Sequence, residues 1–262
     1  MAKRLLEGKR AIVTGASSGI GWHLARQLAA EGVKLCVTAR RAERLEQLQN
    51  EIRQMGGVCE PMPGDITQRV TRERILELAV QQFGGLDMLI NNAGIGAMGR
   101  FDEARPDRLR TIFEVNFFSM ADFIRESLPL LRNGDHPIIV NMSSVLGHRG
   151  VPLKSEYCAS KFALHGFSDA LRAELARDRI DVLLVSPSTT DSEFFEASIE
   201  DRTEKDWKQR GAMPPEQVAA KTIRAIRKGR HEIILTHGGR ILVWADRLFP
   251  GLSNRLLAWF GN

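Results

Sequence analysis

Along the whole chain, short apolar runs alternate with amphipathic stretches, and this restricts the fold more than any other feature. Residues 10–14, 34–38, 57–61, 88–91, 137–142, 181–186 and 232–235 read as strands. Residues 19–30, 42–55, 68–83, 106–131, 155–177 and 215–228 carry apolar side chains at helical spacing. Strands separated by helices pair in parallel, because a parallel neighbour is reached only through a long crossover. Ile138-Ile139-Val140 and Val182-Leu183-Leu184-Val185 are continuously apolar. Strands buried on both faces have this composition. The pattern predicts one α/β domain over residues 1–262, doubly wound around a seven-stranded, mainly parallel sheet. Ligands of such sheets bind beyond the carboxyl ends of the strands.

Composition excludes several alternatives. With 43% hydrophobic and 26% charged residues, the chain has enough apolar surface to fold. The three cysteines, Cys36, Cys59 and Cys158, have no metal-site spacing and are odd in number. They suggest a reducing cytoplasmic setting with no metal site. No apolar run is long enough to span a bilayer, and the basic start does not read as a signal peptide. From residue 202 onward there are twelve Lys/Arg and five Asp/Glu, so the net charge of +5 is concentrated at the end. No nucleic-acid-binding motif accompanies it, and a solvated face is the simpler reading.

The first strand runs into Thr14-Gly15-Ala16-Ser17-Ser18-Gly19-Ile20-Gly21 and then a helix. Glycines at such a turn let the backbone approach a pyrophosphate, and the helix N-terminus supplies unpaired N–H groups and positive potential. Further on come Asn91-Asn92-Ala93-Gly94 after the fourth strand, Ser144 after the fifth, and Tyr157-x-x-x-Lys161 thirteen residues beyond that serine. Tyr157 and Lys161, four apart, share a helix face. A nearby ammonium stabilises a phenolate, so this tyrosine suits proton exchange with a carbonyl or carbinol oxygen.

In this order and spacing the motifs resemble the short-chain dehydrogenase/reductase family, over residues 10 to about 192. The resemblance implies a Rossmann fold and hydride transfer between a nicotinamide dinucleotide and a carbonyl or secondary alcohol. It makes Tyr157 the acid/base, Ser144 the donor to the substrate oxygen and Lys161 the ribose-binding cation. Asn116 would hold a water linking Lys161 to solvent. Cofactor contacts would come from Gly15, Ser17, Ser18, Gly19, Ile20 and Gly21, and from Asp65 and Ile66 at the adenine. Asn92, Ala93, Gly94 and Val115 would line the middle of the site, and Pro187, Thr190 and Ser192 the nicotinamide end. Where the family places glycine after Pro187, this chain has Ser188, a modest change of loop geometry.

At the end of the second strand, Ala39 stands where an acidic residue would hold free ribose hydroxyls, and Arg40 follows. An arginine there pairs with a 2′-phosphate, which predicts NADP(H) ahead of NAD(H). Residues 191–213 should form a lid. Phe194, Phe195, Ile199 and Trp207, with Val145, Leu146, Val151 and Leu153, favour an apolar substrate over a sugar acid. His148 and Arg149 read as a solvated loop. The tail, 239–262, is dense in apolar residues punctuated by Arg240, Arg247 and Arg255, and Pro250 should break it into two helices. Packing on its own domain or on a second subunit ranks first, and peripheral contact with an anionic membrane second. The long helices at 106–131 and 155–177 resemble those through which the family forms dimers or tetramers. A regulator that senses the dinucleotide without turnover is the alternative of a different class; the complete Ser144, Tyr157 and Lys161 set argues against it.

Overall fold

The computed structural model describes residues 4–190, 199–201 and 212–260. The strands are β1 (Arg10–Thr14), β2 (Lys34–Ala39), β3 (Val58–Pro63), β4 (Met88–Asn91), β5 (Ala97–Met98), β6 (Ile138–Met142), β7 (Asp181–Ser186), β8 (Ile199–Asp201) and β9 (Glu232–Ile234). The helices are α1 (Gly19–Ala30), α2 (Ala42–Gln54), α3 (Arg69–Phe83), α4 (Arg108–Phe113), α5 (Ser119–Leu131), α6 (Ser155–Glu174), α7 (Pro215–Arg227), α8 (His237–Leu248) and α9 (Pro250–Phe260). One seven-stranded sheet runs β3-β2-β1-β4-β6-β7-β9. All its pairings are parallel, as the alternation of elements demands.

Each central strand feeds two cores. In β1, Ala11 and Val13 join Leu24, Leu28, Leu45, Leu48 and Ile52 of α1 and α2. Ile12 points the other way, towards Ile75, Phe123, Leu131, Leu164 and Leu171 of α3, α5 and α6. β7 repeats the division, with Leu183 and Val185 on the first face and Val182 and Leu184 on the second. Each fully buried aliphatic side chain contributes about 1.5–3 kcal/mol. The two-sided apolar runs in the sequence therefore correspond to a sheet with helices on both faces.

One expectation needs correction. The stretch 106–131 is not one helix: a π-helical turn, Glu114–Phe118, separates α4 from α5. Asn116 lies in that turn, fully buried, with its amide clasped to the backbone of Ile95. Such widened turns re-aim a side chain that regular helical spacing would place elsewhere. The tail does divide at Pro250 into α8 and α9. Packing on its own domain, however, accounts for little of its apolar surface: Val243 is buried, whereas Ile241, Trp244, Leu248, Phe249, Leu252 and Leu256 are exposed. Among the described residues no helix is long and apolar enough to cross a membrane.

Candidate functional site

The strand order reverses between β1 and β4, and a crevice opens beyond their carboxyl ends. It is part of a cleft of about 1020 Å³. At one end the chain leaves β1 through Gly15, at φ +65°, and enters α1 at Gly19, at φ +54°. Both angles favour glycine. Ser18, the residue preceding α1, makes no side-chain capping bond, and the first turn carries no acidic residue. The first N–H groups of α1 are thus available to an anion.

Thr14 and Asn92 brace this turn. The Thr14 hydroxyl accepts from the N–H groups of Asn92 and Ala93, each at 2.9 Å. The Asn92 amide donates to the carbonyls of Thr14 and Gly15, at 2.9 and 3.1 Å. Gly21 does not line the cleft; it lies behind the turn, where a Cβ would sit 2.3 Å from the Gly15 oxygen and 2.5 Å from the Asn92 amide nitrogen. Gly21→Ala must displace backbone, at about 1–3 kcal/mol. The expected result is dinucleotide affinity lowered by about tenfold or more, read by fluorescence titration.

Other predicted cofactor residues meet in the same cleft: Ser17, Ser18, Gly19, Ile20, Arg40, Asp65, Ile66, Ala93, Gly94 and Val115 all line it. Arg41, which precedes α2 and was not among the expected cofactor contacts, lines it too and donates to the Ser17 hydroxyl at 3.1 and 3.2 Å. Asp65 closes a local turn, accepting from the N–H and hydroxyl of Thr67 at 3.0 and 2.9 Å.

Tyr157 and Lys161 of α6 and Ser144 after β6 form the other end. The hydroxyls of Tyr157 and Ser144 are hydrogen-bonded to each other. Ser144 also accepts from the Leu146 N–H at 3.1 Å, which fixes its rotamer. Burial holds the Tyr157 phenol above its ordinary range, and the Ser144 contact opposes that only in part. Lys161 Nζ donates to the Met142 carbonyl at 3.0 Å and lies 5.7 Å from the Tyr157 ring centre. Burial lowers its pKa to about 8.

Asn116 stands behind this group, outside the cleft wall. Its amide donates to the Ile95 carbonyl at 3.0 Å and to Ser160 at 3.1 Å, and accepts from the Ile95 N–H at 2.8 Å. Ser160 in turn donates to the Tyr157 carbonyl at 2.7 Å. Both amide donors are therefore already used, and through Ser160 the side chain braces the tyrosine's turn.

A sequence profile described as short chain dehydrogenase matches residues 9–203. The chain belongs to the short-chain dehydrogenase/reductase family. It is an oxidoreductase of that family. Dehydrogenase/reductase SDR family member 7B of Bos taurus is 31% identical over 262 residues, covering 94% of this chain and 79% of its own. The Homo sapiens family member 7 is 36% identical over 192 residues, 71% of this chain and 57% of its own. A solved short-chain dehydrogenase/reductase from Burkholderia phymatum, in complex with NAD, superposes with a TM-score of 0.87 at 25% identity, covering 95% of this chain and 96% of that one.

In this short-chain dehydrogenase/reductase the cleft that holds Ser144 and Tyr157 also has apolar residues in its wall. Val145, Leu146, Val151 and Ile199 line it, as does Leu242 of α8, which sequence reading did not place there. Leu153 does not line it; it holds a φ of +64° and accepts from the Gly99 N–H at 2.9 Å. Pro187 and Thr190, expected at the nicotinamide, line the same cleft. Ser188 is not among the residues with positive φ, so this turn needs no glycine. Ser192, Phe194, Phe195, Trp207 and most of the expected lid lie outside the described residues.

His148 and Arg149 are not a solvated loop. The His148 side chain is 1% exposed. Arg149 pairs with Asp246 at 2.7 Å and Asn254 at 2.6 Å, fastening the tail to the loop after Ser144.

Proposed function

We propose that this chain is an NADP(H)-dependent carbonyl reductase or alcohol dehydrogenase acting on an apolar carbonyl or secondary alcohol. The observation that carries the reading is one continuous cleft with an uncapped helix N-terminus at one end and hydrogen-bonded Tyr157 and Ser144 beside Lys161 at the other. The glycine-formed cradle and the unopposed N–H groups of α1 fit a dinucleotide pyrophosphate. When bound, the nicotinamide dinucleotide supplies or accepts the hydride.

The protein's own groups do the rest. Ser144 donates to the substrate oxygen and holds it beside Tyr157. Burial keeps the proton on Tyr157 at neutral pH, ready to be given to a carbonyl oxygen. Lys161, protonated below about pH 8, stabilises the phenolate left behind. Alcohol oxidation runs the same proton path in reverse. The apolar wall from Val145 to Leu242 favours a substrate with little polar surface. A screen of NADPH oxidation against apolar ketones and aldehydes tests the reading, and turnover insensitive to Ser144→Ala contradicts it.

Arg40 is assigned to the 2′-phosphate because it is exposed, lines the cleft and follows Ala39 where no carboxylate opposes an anion. Arg40→Ala should weaken NADPH binding by about tenfold or more, the equivalent of one charge-assisted hydrogen bond, and leave NADH binding unchanged. Unchanged NADPH affinity removes the assignment.

A homodimer or homotetramer is the proposed assembly. Leu109, Phe118 and Phe162 are exposed on α4, the π-helical turn and α6, an apolar face suited to a second subunit. The exposed face of α8 and α9 provides another such surface, and flotation with anionic vesicles tests the membrane alternative.

A further inference from the structure

Behind the loop that carries Ser144 lies a cluster that the redox reading does not use. His148 follows a one-turn helix, Val145–Gly147, directly after Ser144. His165 lies one turn beyond Lys161 on α6, and Glu232 opens the edge strand β9. The pairing of Leu184 with Glu232 in the β7–β9 ladder brings the carboxylate to the two imidazoles.

The geometry is compact. The two rings are 4.4 Å apart at 64°. His148 Nε2 is 3.3 Å, and His165 Nε2 3.9 Å, from the same Glu232 oxygen. One potential ligand atom from each of the three residues lies within 4.8 Å of the others. Nitrogen and oxygen ligands about 2.0–2.2 Å from a zinc-like ion require closely convergent donors of this kind.

One further observation points to a ligand. The Gly147 carbonyl faces His165 Nδ1 at 3.3 Å. A carbonyl only accepts, so it favours the proton on Nδ1 and leaves the Nε2 lone pair facing Glu232. The His148 side chain is 1% exposed. Its Nε2 is 2.9 Å from the Ser186 hydroxyl. Asp169 stands 3.5 Å from His165 Nε2 but is shared with Arg172 at 2.8 Å, so it is a supporting carboxylate and not a fourth ligand.

We propose that His148, His165 and Glu232 bind a divalent transition-metal ion of the zinc class. Two imidazoles and one carboxylate leave a coordination position for water and favour such ions over calcium or magnesium. Glu232 is partly exposed, which gives the ion a route from solvent. The bound ion joins the Ser144 loop, the helix bearing Tyr157 and the edge strand. The site itself is independent of the redox proposal.

The test uses the full chain, treated with chelator and then dialysed against Zn2+ or Co2+. The expected result is one bound Zn2+ per chain and, with Co2+, the intensified visible absorption of a low-coordinate site. His165→Gln and the partly exposed Glu232→Gln should each weaken binding by about tenfold or more and abolish the absorption. His136→Gln, at an exposed histidine beside Asp135, should change neither. The proposal is overturned if wild-type protein retains no more Zn2+ than the folded Glu232→Gln variant, or if His136→Gln lowers binding equally.

Discussion

Tyr157→Phe should lower carbonyl reduction by about 10²–10⁴-fold while leaving dinucleotide affinity within a few-fold of wild type. The substitution removes one oxygen and keeps the ring, so the packing of α6 survives. What it removes is the only tyrosine hydroxyl in the chain, the group bonded to Ser144. The pH dependence has a defined sign. Burial lowers the Lys161 pKa to about 8, so raising the pH through that value removes the ammonium that stabilises the phenolate after proton donation. Reduction should therefore fall above about pH 8, and Lys161→Met should be slow on both sides of it. A steady-state pH profile of the wild type and both variants checks this. Phenylalanine at 157 with near-wild-type turnover contradicts the assignment.

The largest stability effect should come from a pair that no motif marks. Glu156 precedes Tyr157 on α6, and Arg108 lies at the start of α4. Arg108 Nε donates to the Glu156 carboxylate at 2.6 Å, a second guanidinium nitrogen contacts the same oxygen, and both side chains are almost fully buried. Removing Glu156 takes away the carboxylate that meets two nitrogens of the buried guanidinium, at about 3–5 kcal/mol. Glu156→Ala should lower the melting temperature by roughly 10 °C, since about 1 kcal/mol corresponds to 2–4 °C in a domain approaching this size. Replacing both residues by methionine should recover much of the loss, because no buried charge is then left alone. Calorimetry of the single and double variants measures both, and a double variant no more stable than the single one contradicts the ion-pair account.

The parts legible in the sequence were those with local signatures. Ile138-Ile139-Val140 showed a strand buried on both faces, and Gly15, Gly19 and Gly21 marked the turn into α1 because backbone conformation and close approach restrict residue type there. Tyr157 and Lys161 met in the cleft because helical spacing alone puts them on one face. Features that depend on long-range contact left no such periodicity. Arg108 and Glu156 are separated by 48 residues. His148, His165 and Glu232 come from a loop, a helix and an edge strand. The π-helical turn at Asn116 has apolar neighbours at ordinary helical spacing, and its long-range contacts with Ile95 and Ser160 distinguish it. Leu242 reaches the cleft because α8 folds back over it, which composition could not indicate.

The most direct test of the proposed activity is label transfer from NADPH deuterated at the transferring position of the nicotinamide. The protein would be incubated with a panel of apolar ketones, aldehydes and steroid-like carbonyls, with Tyr157→Phe alongside, and the products examined by mass spectrometry. Hydride transfer within one cleft predicts deuterium on the carbinol carbon of at least one product, lost in the variant. Tight NADPH binding with no labelled product across the panel would contradict the reductase reading and bring forward a protein that senses the dinucleotide without turning it over.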